Sequence, residues 1–304
     1  MVISTKLCSL SLKNPLILAS GILGVTKASL CNVVQNGAGA VTIKSVSKEE
    51  RKGHNSPIIV TYEAGMLNAV GYSNPGLECA KNEFKDLKEV GVPVIASIIG
   101  STADDFSYMA KHFLSKEFSA VELPLSCPHT PGFGILAGQG TVEATREITR
   151  AVKRNTRLPV FVKLSPNIQE IGNIAVAAQN AGADAVTVGN TLGPGMVIDI
   201  TTRKPVLDFK FGGISGPALR PIAVRCVYDV FEAVRIPVIG VGGVMTGRDA
   251  IEMIMAGASA VGIGSAVYYR GIDVFKKIAA EMEQFMDEQG YSSIKEIVGV
   301  SHEA

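Results

Sequence analysis

The 304-residue sequence contains no tryptophan, and aromatic residues make up only 6% of it. Net charge is also small, because 29 Lys and Arg residues balance 28 Asp and Glu residues to leave +1 at pH 7. A broad basic surface that would bind nucleic acid is therefore not expected. Hydrophobic residues, at 47%, are numerous enough to fill a large core, which argues against a disordered chain.

The five cysteines are odd in number and form no C-x-x-C pair. A disulfide framework, a zinc ribbon and an iron–sulfur cluster held by this chain alone are therefore poorly supported, and we expect no metal site. Reduced thiols indicate a cytoplasmic protein. No run approaches ~18 apolar residues, so no transmembrane helix is predicted. The apolar N-terminal stretch is interrupted by Lys6, Lys13 and Pro15, which argues against a signal peptide.

Short apolar runs separated by turn signals predict eight strands. They span residues 16–19, 40–44, 94–98, 120–123, 160–163, 185–188, 238–241 and 260–263. Three strands follow an apolar residue and a proline, and three follow a Gly-Ala pair. Glycine can end a helix in the left-handed conformation, and proline is tolerated at the start of a strand. Helical patterns lie between strands, for example at 143–153, 171–181, 222–233 and 248–256.

Alternating helices and continuously apolar strands indicate a parallel sheet buried on both faces. Eight such units predict an α/β fold of the closed (β/α)8 type, a TIM barrel, as a single domain over residues 1–304. A doubly wound open sheet is the alternative, but the Gly-x-Gly-x-x-Gly signature is absent. Long connections follow the second and sixth strands, at 45–91 and 189–235. We expect the first to hold part of a substrate site and the second to include a mobile loop.

Glycines and polar residues cluster where the predicted strands end. The stretches GVGG at 240–243 and GIGS at 262–265 lie at the ends of the last two strands, where this fold usually binds phosphate. Gly216 is a further position at which the bare backbone could come close to a phosphate. Lys44 and Lys163 end the second and fifth strands. Two cations facing one ring fit a cofactor that becomes anionic on reduction, or an acidic substrate. The alternative is a pair of lysines matched by nearby carboxylates.

Cys127 is the only cysteine in a polar loop after a predicted strand. A nearby lysine would favour its thiolate and make it a competent base. The alternative is a small core residue without chemistry. His129, two residues later, is a candidate partner or a loop residue that only makes a hydrogen bond.

Seven motifs occur in a specific order: NPLILASG at 14–21, NAVGYSNPG at 68–76, ELPLSCPH at 122–129, VKLSPN at 162–167, GNTLGPGMVIDITTRKPVL at 189–207, GGISGPALRPIA at 212–223 and IPVIGVGGV at 236–244. Together they resemble the flavin subunit of the dihydroorotate dehydrogenases, in the heteromeric branch that passes electrons towards NAD. The resemblance covers roughly residues 4–285.

The resemblance implies oxidation of (S)-dihydroorotate to orotate in pyrimidine (UMP) biosynthesis. A proton leaves C5 of the substrate to a base that matches Cys127, a hydride leaves C6 to N5 of FMN, and Lys44 joins Cys127 in the catalytic set. One FMN per chain is implied, with FAD and a [2Fe–2S] cluster on a partner subunit and NAD as the final acceptor. The family also suggests a homodimer.

The resemblance assigns residues to two groups. The residues assigned to FMN are Ala19, Ser20, Lys44, Ser45, Ser97, Lys163, Gly189, Gly216, Gly242, Gly243, Gly264 and Ser265. The residues assigned to the substrate are Lys44, Asn68, Ala69, Val70, Gly71, Tyr72, Asn190 and Thr191.

Three positions depart from the family, which usually has asparagine where this chain has Ser97, Pro124 and His129. Pro124 has no side-chain donor, and His129 could replace the missing hydrogen bond. The histidine and the stretch ILAGQG at 135–140 resemble the dihydropyrimidine dehydrogenases, so reduction of uracil or thymine by an FMN enzyme is the alternative. Lys44 favours a substrate with a carboxylate. A flavin-free barrel lyase or isomerase, and a barrel that binds FMN without catalysis, remain as further alternatives.

Overall fold

Eight parallel strands close into a barrel surrounded by helices, which confirms the predicted fold class. The computed structural model describes residues 2–125 and 140–303. The strands, in chain order, are β1 Thr5–Leu7, β2 Leu10–Leu12, β3 Leu16–Leu18, β4 Ala40–Thr42, β5 Ile59–Tyr62, β6 Gly65–Asn68, β7 Val94–Ser97, β8 Ala120–Pro124, β9 Val160–Leu164, β10 Ala185–Val188, β11 Leu192–Gly195, β12 Ile198–Asp199, β13 Lys204–Pro205, β14 Gly212–Ser215, β15 Val238–Val241 and β16 Ala258–Ile263. The barrel order is β3-β4-β7-β8-β9-β10-β15-β16.

The α-helices of the described residues lie on the outside of the barrel or follow its strands. They are α1 Lys27–Gln35, α2 Gly76–Glu83, α3 Ala103–Phe113, α4 Val142–Lys153, α5 Ile171–Asn180, α6 Arg220–Ala233, α7 Gly247–Met255, α8 Ala266–Arg270 and α9 Val274–Gln289. Threonine caps begin several of them. Thr102 and Thr246 form capping boxes with an aspartate three residues later, and such caps stabilise a helix by about 1 kcal/mol each.

Glycine and proline at the ends of helices and strands explain why the predicted boundaries agree with the structure to within two residues. Gly37, Gly182 and Gly257 follow helices with positive φ, as a left-handed helix end requires. The largest differences, of two residues, are at the start of β16, at the start of α6 and at the end of β4, which is predicted to reach Lys44. The chain leaves the barrel earlier there, because the amide of Lys44 donates to the carbonyl of Gly24 at 2.8 Å.

The barrel interior is apolar at the amino ends of the strands. One cluster contains an inward residue from each barrel strand: Ile17, Ala40, Ile95, Ala120, Phe161, Ala185, Ile239 and Ala260. The antiparallel hairpin β1–β2, which the sequence reading did not predict, covers this end with Leu7, Leu10 and Leu12. The barrel is therefore packed and closed at the amino ends of its strands.

The interior becomes polar one layer higher. Side chains alternate along a strand, so the next inward residue follows two positions later. On five neighbouring strands that residue is polar and buried: Thr42, Ser97, Glu122, Lys163 and Thr187. Burying a charge is costly unless it is paired. This layer lies at the carboxyl ends of the strands, where TIM barrels build their active sites.

The two long connections fold against each other. β5 and β6 come from the first, β11 and β14 from the second, and they form one four-stranded sheet in the order β11-β14-β6-β5. Gly213 pairs with Asn68 in this sheet. A small core of Leu67, Ala69 and Leu207 lies on it. The sequence reading did not predict these strands, and the mobile loop expected in 189–235 stays a prediction.

Within the described ranges, none of the helices is long and apolar enough to cross a membrane.

Candidate active site

A cavity of about 280 Å³ opens at the carboxyl ends of the barrel strands. The four-stranded sheet forms part of its wall through Met66, Asn68 and Ser215. Most residues expected in the site line this one cavity: Ala19, Ser20, Lys44, Ser45, Asn68, Ala69, Val70, Gly71, Tyr72, Lys163, Gly189, Asn190, Thr191, Gly216, Gly242, Gly243, Gly264 and Ser265. The structure thus brings together positions separated by more than 200 residues of chain.

One end of the cavity is lined by glycines. Gly243 has φ +72°, and a Cβ there would lie 2.6 Å from the backbone nitrogen of Arg220, so only glycine fits between the cavity and helix α6. Gly264 differs, because a Cβ would meet only the Cβ of Ala19, at 3.9 Å. Bare backbone of this kind lets an anion approach N–H groups closely, so this end of the cavity suits a phosphate.

Lys163 in the floor of the cavity belongs to a buried charge pair. Lys163 is 4% exposed and Glu122 is 5% exposed. The Lys163 Nζ lies 3.7 Å from Glu122 Oε1 and donates to Ser20 Oγ at 3.2 Å. Ser20 Oγ in turn donates to Glu122 Oε1 at 2.7 Å. Lys163 is therefore matched by a carboxylate, as one interpretation of the sequence held, and it still lines the cavity.

Ser97 is the one assigned residue of the described chain that does not line the cavity. It is fully buried, and its hydroxyl lies 2.8 Å from that of Ser45, which does line the cavity. Ser97 therefore contacts a residue that lines the cavity without lining it itself. Pro124 lines the cavity, at the end of β8 and opposite Lys163 in the strand register.

The segment 68–72 is held by a residue that sequence reasoning missed. The backbone N–H of His54 donates to the carbonyl of Val70 at 3.2 Å. The His54 ring nitrogen Nδ1 lies 3.0 Å from the carbonyl oxygen of Ala69, and a carbonyl only accepts, so Nδ1 carries the proton. The ring stacks on Phe209 with centroids 3.8 Å apart. Nothing in the spacing of the sequence marks His54, because two of its contacts are to backbone carbonyls and the third is to Phe209, far along the chain.

Cys127, His129 and residues 135–139 lie outside the described residues, so the structure does not test the assigned base. The cysteines of the described chain, Cys8, Cys31, Cys79 and Cys226, are free thiols. Burial raises the pKa of the Cys8 thiol to about 11 and also raises that of Cys226. None of these four residues lines the cavity. In the described ranges, no group of three or more His, Cys, Asp or Glu residues could hold a metal ion.

The sequence profile described as "Dihydroorotate dehydrogenase" matches residues 2–286. The chain belongs to the dihydroorotate dehydrogenase family. Three relatives are named "Dihydroorotate dehydrogenase B (NAD(+)), catalytic subunit". The one from Methanosarcina acetivorans is 48% identical over 307 residues, which covers 98% of this chain and 95% of the relative. The one from Pyrococcus abyssi is 45% identical over 300 residues, with 99% of each chain covered. The one from Methanothermobacter thermautotrophicus is 44% identical over 303 residues, again with 99% of each covered.

The family is FMN-binding in general, and the cavity suits that cofactor on its own residues. Its glycine end suits a phosphate, and its floor carries a lysine that can balance negative charge on a ring. Apolar wall residues such as Ile22 and Val241 lie between polar ones, as in most small-molecule sites. Family membership and cavity chemistry therefore agree.

Proposed function

We propose that this chain oxidises (S)-dihydroorotate to orotate, a step of pyrimidine biosynthesis, as a single FMN-binding barrel over residues 1–304. One observation carries the proposal. In a chain of the dihydroorotate dehydrogenase family, a single cavity joins a glycine-lined anion end to a lysine floor and an amide-bearing wall. A flavin-free lyase or isomerase could also use a buried lysine, so the family match over residues 2–286 is what favours a flavin enzyme.

One FMN per chain would lie in this cavity. Its phosphate would be held by Gly216, Gly242, Gly243, Gly264 and Ser265, and its ring by Ala19, Ser20, Lys44, Ser45, Lys163 and Gly189. Ser97 would act on the ring through Ser45. When bound, FMN supplies a hydride acceptor at N5.

The substrate would lie between the ring and the segment 68–72. The Lys44 ammonium would attract its carboxylate, and the amides of Asn68 and Asn190 offer the donors and acceptors that a pyrimidine dione needs. Ala69, Val70, Gly71, Tyr72 and Thr191 would complete its surroundings. Cys127 would take the proton from C5, which makes Cys127 and Lys44 the catalytic residues.

The electrons would leave through a partner. The relatives are named as NAD(+)-linked catalytic subunits, which supports a second subunit for this chain as well. We propose that this subunit carries FAD and a [2Fe–2S] cluster, that NAD is the final acceptor, and that the catalytic chain is a homodimer in the cytoplasm. If the chain with FMN alone reduced NAD on dihydroorotate at enzymatic rates, the partner would be unnecessary and this part would be wrong.

The deciding experiment is an anaerobic visible spectrum of the purified chain before and after addition of L-dihydroorotate. The expected result is a flavin spectrum that dihydroorotate bleaches. A flavin spectrum unaffected by dihydroorotate, but restored from the reduced form by uracil, would favour a pyrimidine reductase. His129 and the stretch ILAGQG at 135–140 resemble that second class, and Pro124 in the cavity wall lacks the side-chain donor that dihydroorotate dehydrogenases usually have there. A colourless protein that cannot be reconstituted with FMN would contradict both.

A further inference from the structure

Glu122 is a buried carboxylate that the proposed reaction does not use. We propose that it is a positioning residue and counter-charge for Lys163, and that it thereby sets the reduction potential of the bound FMN. The inference rests on the proposed function, because it requires FMN over the Lys163 floor. Glu122 does not line the cavity, so it would act through its neighbours and is not itself a catalytic residue.

The place of Glu122 in the barrel follows from strand alternation. It lies on β8 between Ala120, which belongs to the apolar interior cluster, and Pro124, which lines the cavity. All three are therefore inward residues on one strand. Glu122 belongs to the buried polar layer that also holds Lys163, and it is 5% exposed. A carboxylate at such a position is rare unless it is paired.

Both carboxylate oxygens of Glu122 have a defined partner. Oε1 accepts from Ser20 Oγ at 2.7 Å, and Oε2 accepts from Thr187 Oγ1 at 3.1 Å. Lys163 Nζ is 3.7 Å from Oε1, too far for a direct hydrogen bond, but it donates to Ser20 Oγ at 3.2 Å. Ser20 is therefore the link between the two charges. The network joins the loop after β3 with β8, β9 and β10 and leaves Lys163 little freedom to move.

The charges of the network determine the electrostatic potential at a ligand bound over Lys163. With Glu122 ionised, the Lys163 charge is opposed by a carboxylate oxygen 3.7 Å away. Without that carboxylate, the same lysine would present an uncompensated positive charge in a site of low dielectric. A cofactor that gains negative charge on reduction would then be stabilised more in its reduced form than in its oxidised form. Loss of the Glu122 charge should therefore raise the reduction potential.

The test is Glu122→Gln in the FMN-loaded chain, with the midpoint potential measured by anaerobic reductive titration against reference dyes. The side chain keeps its size, and the Thr187 hydroxyl can rotate to accept from the new amide. We expect the midpoint potential of Glu122→Gln to be higher than that of the parent by at least ~30 mV. For a two-electron couple this equals a tenfold increase in the ratio of reduced to oxidised flavin at a fixed ambient potential. Thr187→Val is the matched control: it removes one hydrogen bond but keeps the charge, and should shift the ratio less than threefold.

The outcomes separate this inference from the proposed function. A parent chain without a flavin spectrum would contradict the proposed function itself. A parent reduced by dihydroorotate, with an unchanged potential in Glu122→Gln, would overturn only the role of Glu122. A lower melting temperature with an unchanged potential would mean that the carboxylate only stabilises the barrel, and would also overturn it.

A second variant covers the case in which Glu122→Gln does not fold or retain FMN. Glu122→Asp keeps the charge but withdraws it from Lys163 by one methylene. The midpoint potential should then rise, but by less than the ~30 mV expected for Glu122→Gln, because the carboxylate still offsets part of the Lys163 charge. An unchanged or lower potential in this variant would contradict the inference.

Discussion

The glycine end of the cavity allows a prediction that separates the needs of the fold from those of the ligand. Gly243 has a positive φ and no room for a Cβ, since one would lie 2.6 Å from the Arg220 backbone nitrogen. Gly264 has room, with only the Ala19 Cβ at 3.9 Å. Alanine substitutions at these two positions should therefore impair the protein for different reasons. Gly243→Ala should damage the fold, and Gly264→Ala should damage only ligand binding.

The magnitude for Gly243→Ala follows from two terms. A left-handed conformation costs a residue with a Cβ roughly 1–2 kcal/mol, and overpacking against backbone adds roughly 1–3 kcal/mol. An unfolding entropy of about 2.1 cal/mol/K per residue means that 1 kcal/mol shifts the melting temperature of a chain of this length by about 1.6 °C. The FMN-free chain should therefore melt roughly 3–8 °C lower in this variant.

Gly264→Ala should leave the melting temperature of the FMN-free chain within about 1 °C of the parent. The added methyl would lie in the cavity, beside backbone proposed to contact the FMN phosphate. FMN affinity should fall at least tenfold, or by about 1.4 kcal/mol. Scanning calorimetry of the FMN-free chains and fluorescence titration with FMN measure the two effects. Unchanged FMN affinity in Gly264→Ala, or an unchanged melting temperature in Gly243→Ala, would refute the reasoning.

Three further predictions concern the contact between helices α8 and α9, the segment 68–72 and the assigned base. Burial tends to raise the pKa of Glu281, but hydrogen bonds from Arg270 and a backbone amide outweigh it and leave this pKa below its ordinary value of 4.5. Glu281→Gln should therefore cost about 1 kcal/mol of unfolding free energy at pH 7, and the difference from the parent should shrink as the pH falls below 4.5; a pH-independent difference would be the contrary result. His54→Phe keeps an aromatic ring but loses the donor to Ala69, so KM for dihydroorotate should rise about fivefold with little change in kcat, whereas His54→Asn, which retains a donor, should recover part of it; equal KM values in parent and His54→Phe would refute this. Cys127→Ala should retain FMN and lose most turnover, and near-normal flavin reduction by stopped flow would exclude Cys127 as the base.

Much of the site could be predicted because it depends on where strands end. In a closed parallel barrel, all carboxyl ends meet at one mouth. Residues that follow different strands, such as Lys44, Gly189 and Gly264, therefore had to converge once the eight strands were recognised. The resemblance to a known family then supplied roles for these positions, which their spacing could not.

The sequence by itself determined the order of the elements, since helix ends and strand starts depend on local conformational preferences such as those of Gly37, Gly182 and Gly257. Contacts between distant segments were decided only by the tertiary structure. The pairing of Asn68 with Gly213 joins segments 145 residues apart, and it arises because both long connections emerge at the same mouth.

The partner of Lys163 was also decided by tertiary structure. Several acidic residues were available in the sequence, and only the neighbouring positions of β8 and β9 in the barrel, with Ser20 between them, make Glu122 the one paired with this lysine. Local preference specifies a strand and its inward face. Which charge lies opposite which depends on barrel register, and that is a property of the closed sheet as a whole.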